Sequence, residues 1–191
     1  GATHTRFDHA LGVYHLAQQA LRLLHARAEL RQIAEHERHI VAYAALLHDI
    51  GHYPFSHALE ELEQDRIPGH HEALVGRFLS DPDVRAALLT ISDDGPEAVE
   101  ALVRGTSRNP LQGLVAGSLD LDKIEYLKRD ARFCGVPYGD VDVDRLLNAL
   151  ALVRDPQSDR LEIGVLEKGV AALESLLFSK YQMFRNVYWH H

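Results

Sequence analysis

The run Ala44-Ala45-Leu46-Leu47-His48-Asp49-Ile50-Gly51-His52 constrains this chain most. An apolar helical segment ends in an imidazole beside a carboxylate, and a glycine closes it. A carboxylate at the end of a buried segment is costly unless a cation accompanies it. A divalent metal held by imidazole nitrogen and carboxylate oxygen meets that demand. A buried His–Asp hydrogen bond that orients a loop and binds nothing meets it too, and the dipeptide alone leaves both open.

The segments around it read as helices. Thr5-x-x-Asp8 resembles a capping box with Asp in place of Glu. The helix it opens carries Val13, Leu16, Ala17, Ala20, Leu21 and Leu24 at core-facing spacing, and His9 lies one turn earlier on that face. A second helix is predicted over about 35–49, with Ile40, Val41, Ala44, Leu47 and His48 inward, and Gly51 and Pro54 end it. Ser56 is the cap expected for a short helix through Leu62. Gly69-His70-His71-Glu72 begins a third, with Leu74, Val75 and Phe78 as its apolar face, and Pro96 starts another.

Asn109-Pro110 is predicted to open a long helix to about Cys134, with Leu111, Leu114, Val115, Ser118, Asp122, Tyr126 and Arg129 on its inward stripe. That places Asp122 on a buried face in mid-helix, where an unpartnered carboxylate costs several kcal/mol or more. Asp122 therefore supplies the third ligand that makes a metal at His48-Asp49 specific. Asp120 is expected at the surface. A short helix through Leu150, a β-hairpin near 151–163 and a last helix from Glu167 past Tyr188 complete the chain. In that last helix Leu173, Leu176, Leu177, Met183 and Phe184 are the expected core.

Composition narrows the function. The 191 residues suffice for one core, and 46% apolar with 25% charged residues is ordinary for a globular protein. A single cysteine, Cys134, excludes an internal disulfide and fits a reducing, cytoplasmic setting. No apolar run reaches the ~20 residues of a membrane span. A net charge of −8 argues against duplex nucleic acid as a partner, although a local cationic cleft still admits an anionic small molecule. Thirteen histidines is a high count, and many fall in the first 71 residues; His25, His36 and His39 read as surface residues.

The order His9, His48-Asp49, Asp122 matches the H…HD…D signature, and the chain resembles the HD superfamily of metal-dependent phosphohydrolases. Thr5-Arg6-Phe7-Asp8-His9, the run from His48 to His57, His71-Glu72, and Asp120-Leu121-Asp122-Lys123-Ile124-Glu125-Tyr126 are similar to its dNTP triphosphohydrolase branch. Arg129-Asp130 and Tyr188-Trp189-His190 extend that similarity. The resemblance implies an all-α helical bundle in which His9, His48, Asp49 and Asp122 bind one divalent metal, whether Fe, Mn, Ni, Co, Zn or Mg. It implies in-line attack of metal-activated water on the α-phosphorus of a dNTP, releasing deoxynucleoside and inorganic triphosphate.

By the same resemblance His57 is the general acid, Glu60 orients it, and His52 and His71 line the phosphate channel. Arg6, Lys123 and Lys180 neutralise the triphosphate. Tyr126 and Asp130 contact the sugar 3′-hydroxyl, and Tyr188 packs on the sugar ring. A homo-oligomer is implied as well. The family has segments before Gly1 and after His191, so the chain is expected to be one HD domain and a fragment of a longer protein. Two rival readings stay open: a phosphohydrolase of nucleoside monophosphates or another phosphoester, and a non-catalytic nucleotide-binding module.

Overall fold

The computed structural model describes residues 2–53 and 71–189. Helix α1 (Arg6–Ala26) starts at a reciprocal cap: the Thr5 hydroxyl oxygen accepts from the Asp8 backbone N–H, and the Asp8 carboxylate accepts from the Thr5 N–H at 2.9 Å. Its stripe of His9, Val13, Ala17, Ala20, Leu21 and Leu24 is buried, and α1 packs against α2 (Glu35–Leu47). The small residues Ala42, Ala44 and Ala45 are all buried on α2. The helix stops at Leu47, whose carbonyl accepts from Ile50 N–H at 3.0 Å, while the Asp49 carbonyl accepts from His52 N–H at 3.0 Å. His48 and Asp49 thus stand on a tightened turn at the helix end.

Helices α3 (His71–Leu79), α4 (Pro82–Leu89) and α5 (Gly95–Val103) follow, and α5 packs on α2. Asp81 caps α4 by accepting from the N–H groups of Asp83 and Val84, a helix that periodicity alone did not separate from its neighbours. On α3 the core-facing residues are Val75 and Leu79; Phe78, expected inward, is exposed. The expected helix beginning at Ser56 lies outside the described residues.

The largest departure lies between 109 and 134. One continuous helix was expected. The chain instead makes a 3₁₀ turn over Gln112–Leu114 and only then enters α6 (Leu121–Cys134). Two glycines, Gly113 and Gly117, weaken the intervening segment as helix. Asp120 sits in extended conformation and accepts from the Lys123 N–H at 3.0 Å, a proper N-cap. Asp120 is therefore buried rather than at the surface, Ser118 is exposed rather than inward, and Asp122 stands in the first turn of α6. Gly135, at φ +67°, ends the helix in left-handed conformation.

Helix α7 (Val143–Ala149) leads into an antiparallel hairpin, β1 (Leu150–Arg154) and β2 (Leu161–Val165), registered Leu150 opposite Val165 and Arg154 opposite Leu161. This is the hairpin anticipated near 151–163. After a 3₁₀ turn at Glu167–Gly169, α8 (Val170–Met183) runs into a π-helical turn over Phe184–Tyr188. Its buried face is Ala172, Leu176, Ser179 and Met183. Leu177 lies one residue round from that face and is exposed, against expectation. Helix α1 packs against α2 and α6, so the first turn of α1, the end of α2 and the first turn of α6 meet. The architecture is the all-α bundle with one hairpin that the sequence implies.

The turn Pro137–Gly139 presses against α6: a Cβ at Gly139 would collide with the Leu127 carbonyl oxygen and the Ala131 side chain. Backbone cannot yield as a flexible side chain does. Gly139→Ala should therefore lower stability by about 1–3 kcal/mol, read as a lower midpoint in denaturant unfolding; an unchanged midpoint would contradict this packing.

Candidate metal centre

Three of the expected ligands converge from three helices. His9, His48 and Asp122 each offer one ligand atom, and these atoms all lie within 4.8 Å of one another. His9 Nε2 is 3.0 Å from Asp122 Oδ1, and His48 Nε2 is 3.6 Å from the same oxygen. The two imidazoles face each other through Nε2, 3.3 Å apart. Their far nitrogens are engaged: His9 Nδ1–H donates to Glu125 Oε2 at 2.5 Å, and His48 Nδ1–H donates to the Ala45 carbonyl at 2.9 Å. With both Nδ1 atoms protonated, two Nε2 lone pairs and a carboxylate oxygen point at one another. That arrangement is repulsive unless a cation or protons stand among them.

Asp49, the fourth expected ligand, is adjacent. Its Oδ1 lies 3.3 Å from His48 Nε2 and 3.2 Å from His52 Nε2, while Oδ2 accepts from Arg6 at 3.0 Å. Among the described residues Asp49 borders the three-residue cluster without joining it at the same closeness. An N₂O set with a further carboxylate at hand and both imidazoles oriented from behind suits a divalent cation.

The electrostatics agree. Burial pulls the His9 imidazole toward neutrality, yet its hydrogen bonds to the Asp122 and Glu125 carboxylates win and push it up to about 9. His48 is also raised: burial opposes the charged form, and Asp122 with Asp49 more than compensates. Burial pushes the Asp122 and Asp49 carboxyls up, but the surrounding histidines hold both well below the ordinary carboxylate range. Protons thus supply in the metal-free chain the positive charge that a metal would otherwise bring.

The cluster opens on a cavity of about 710 Å³. Arg6, His52, Lys123, Tyr126 and Asp130 also line it. Lys123 Nζ is bonded to Asp120 at 2.5 Å and to the Gly117 carbonyl at 2.9 Å. Asp130 Oδ2 accepts from the Tyr188 hydroxyl at 2.8 Å, and the Tyr126 and Tyr188 rings meet edge to face. Burial first, and then neighbouring carboxylates, push the Tyr126 phenol up to about 12. Lys180 is not brought here: its Nζ lies 5.8 Å over the Phe184 ring, in a separate pocket with Tyr181 and Trp189. His57 and Glu60 lie outside the described residues, as does the side chain of His71.

Two members of the site escaped the sequence reading. His4 Nε2 meets Asp130 Oδ1 at 2.6 Å, and Glu125 backs His9. His4 precedes the helix, where periodicity carries no information. Glu125 shares a helix face with Asp122, but its role comes from His9, 116 residues away in sequence.

The pH behaviour follows with a definite sign. A histidine raised to about 9 stabilises the metal-free fold fully below pH ~6.5 and loses that contribution as pH rises through 9. Metal competes with the same protons, so its binding strengthens over that window. The rise in thermal midpoint caused by a fixed excess of Mn²⁺ should grow between pH 6 and pH 9, with about 2.7 kcal/mol of stabilisation at 100 times Kd. A pH-independent increment would contradict the assignment.

Comparison with known proteins agrees with this geometry. The HD domain family profile matches residues 6–124. The chain is 35% identical over 192 residues to the uncharacterized protein YwfO of Bacillus subtilis, which covers 100% of this chain and 42% of that protein. It is 30% identical over 200 residues to a protein of Dictyostelium discoideum named deoxynucleoside triphosphate triphosphohydrolase SAMHD1 homolog, covering 99% of this chain and 37% of the other. A crystal structure of a phosphohydrolase from Bacteroides thetaiotaomicron superposes with a TM-score of 0.79 at 29% identity, covering 99% of this chain and 43% of that one. The chain spans less than half the length of each of these relatives. With its family profile matched across the three segments that supply His9, His48 and Asp122, the chain belongs to the HD domain family.

Proposed function

We propose that this chain carries the centre of a metal-dependent phosphohydrolase that cleaves dNTPs to deoxynucleoside and inorganic triphosphate. The observation carrying the reading is the convergence of His9, His48 and Asp122 on the wall of a cavity that also holds Arg6, Lys123, Tyr126 and Asp130. The relative named as a deoxynucleoside triphosphate triphosphohydrolase supports the choice of substrate.

His9, His48 and Asp122, with Asp49 beside them, would hold a divalent cation, which would contribute Lewis acidity and lower the pKa of water. The chain's own groups do the rest. Among the described residues, the Arg and Lys side chains of the cavity are paired internally, Arg6 with Asp49 and Lys123 with Asp120. Asp49, Asp120, Asp122 and Asp130 line the same space, and the protons on His9 and His48 offset that charge until a divalent cation takes their place. The Arg6 side chain is 55% exposed, free to exchange Asp49 for a phosphate oxygen with its planar fork. Lys123 offers a point charge.

At the other end Asp130 accepts hydrogen bonds and Tyr126 stays a protonated donor, a pair suited to a sugar hydroxyl. Tyr188 closes that end against the ring. His57 is assigned the proton delivered to the leaving 5′ oxygen and His71 a place beside the phosphates. Glu60 is assigned to orient His57.

The test is product analysis. Mn²⁺-loaded protein given a panel of dNTPs should release inorganic triphosphate and deoxynucleoside, and His57→Ala should slow turnover about 10²–10⁴-fold. Release of inorganic phosphate alone, or no triphosphate from any dNTP, would overturn the reading. Unchanged turnover in His57→Ala would remove that residue from the chemistry.

A further inference from the structure

Behind His9, away from the cavity, runs a second set of contacts that the chemistry above leaves unassigned. Glu125, one turn beyond Asp122 on α6, is buried at 8% exposure. Its Oε2 accepts from His9 Nδ1–H, while Oε1 accepts from Arg129 Nε at 2.6 Å and lies 2.5 Å from Nη2 of the same guanidinium. Arg129 in turn borders a groove separate from the cavity, beside Lys128, Arg132 and Phe133. Three residues thus stand in line from a metal ligand, along one face of α6, to that groove.

The helix opposite makes room for that line. Gly12 lies one turn beyond His9 in the interior of α1, where glycine weakens a helix. A Cβ at Gly12 would collide with the Glu125 carboxylate and come within 2.8 Å of the Arg129 guanidinium. The absence of a side chain at position 12 is what lets a carboxylate lie flat between α1 and α6 and reach the imidazole.

We propose that Glu125 and Arg129 are positioning residues of the metal centre, with Gly12 as the gap that seats them. Arg129 fixes the Glu125 carboxylate in one orientation. Glu125 holds His9 with Nδ1 protonated, which turns the Nε2 lone pair toward His48 and Asp122 and makes it more basic toward a cation. The inference rests on the metal reading above. Its rival is a plain ion-pair staple between α1 and α6, which would affect stability and leave metal affinity alone.

Calorimetric titration of Mn²⁺ into the metal-free protein separates the two, run beside thermal unfolding of every variant. Glu125→Gln keeps the shape and removes the charge, and should weaken metal binding about 10–100-fold. Gly12→Ala, which touches no ligand atom, should weaken it in the same direction by displacing Glu125. Arg129→Lys, which keeps the charge but loses the forked contact, should fall between wild type and Glu125→Gln, and it tests the point if Glu125→Gln fails to fold. Wild-type affinity in the folded variants, with only a lower melting temperature, would reduce the set to a staple and overturn the proposal. If the wild-type protein binds no divalent metal, the metal reading itself falls.

Discussion

Two imidazole nitrogens facing each other at 3.3 Å, with a carboxylate oxygen beside both, set the terms for this structure. Each ring is locked from behind, so neither can turn away to relieve the contact. Positive charge must enter between them, as protons in the metal-free chain or as a metal. Desolvation of three titratable groups in one place is tolerated only because that charge is shared. The raised imidazoles and depressed carboxyls are one balance seen from its two sides.

The scaffold serves this point. Each candidate ligand comes from a helix terminus: His9 from the first turn of α1, His48 from the turn closing α2, and Asp122 from the first turn of α6. Termini leave backbone groups that need local partners, and here side-chain caps at Thr5 and Asp120 fix where two of the helices begin. The buried stripe of α1, packed on α2 and α6, then brings the three ends together. Side chains on such ends are held by the helices while facing an open cavity.

Much of this was legible beforehand because it rests on local chemistry. The Thr5–Asp8 cap, the α1 stripe and the hairpin all follow from neighbouring residues and hold in the structure, whereas α2 stops at Leu47, short of the Asp49 end that Gly51 and Pro54 suggest. Periodicity failed where a competing local signal outvoted it. Leu111, Leu114 and Val115 keep helical spacing and are buried, yet Gly113, Gly117 and the Asp120 cap divide the segment from α6. Asp122 stands out in the sequence through an expected mid-helix burial, whereas it occupies a first turn at the cavity wall. Leu177 and Phe78 show the same limit: spacing marks an apolar face, and only packing decides which edge of it is covered. Glu125 and His4 were not legible, since their roles exist only through partners more than a hundred residues away.

In the proposed function a divalent cation takes over the role that protons on His9 and His48 fill in the metal-free chain. The central claim is that two histidine nitrogens and one aspartate oxygen hold a single cation. X-ray absorption spectroscopy on the protein loaded with one equivalent of Co²⁺ or Zn²⁺ tests it most directly. The account predicts a coordination shell with the multiple-scattering signature of two imidazoles, reduced to one in His48→Ala. An oxygen-only shell, or a two-imidazole signature that survives loss of His48, would contradict it.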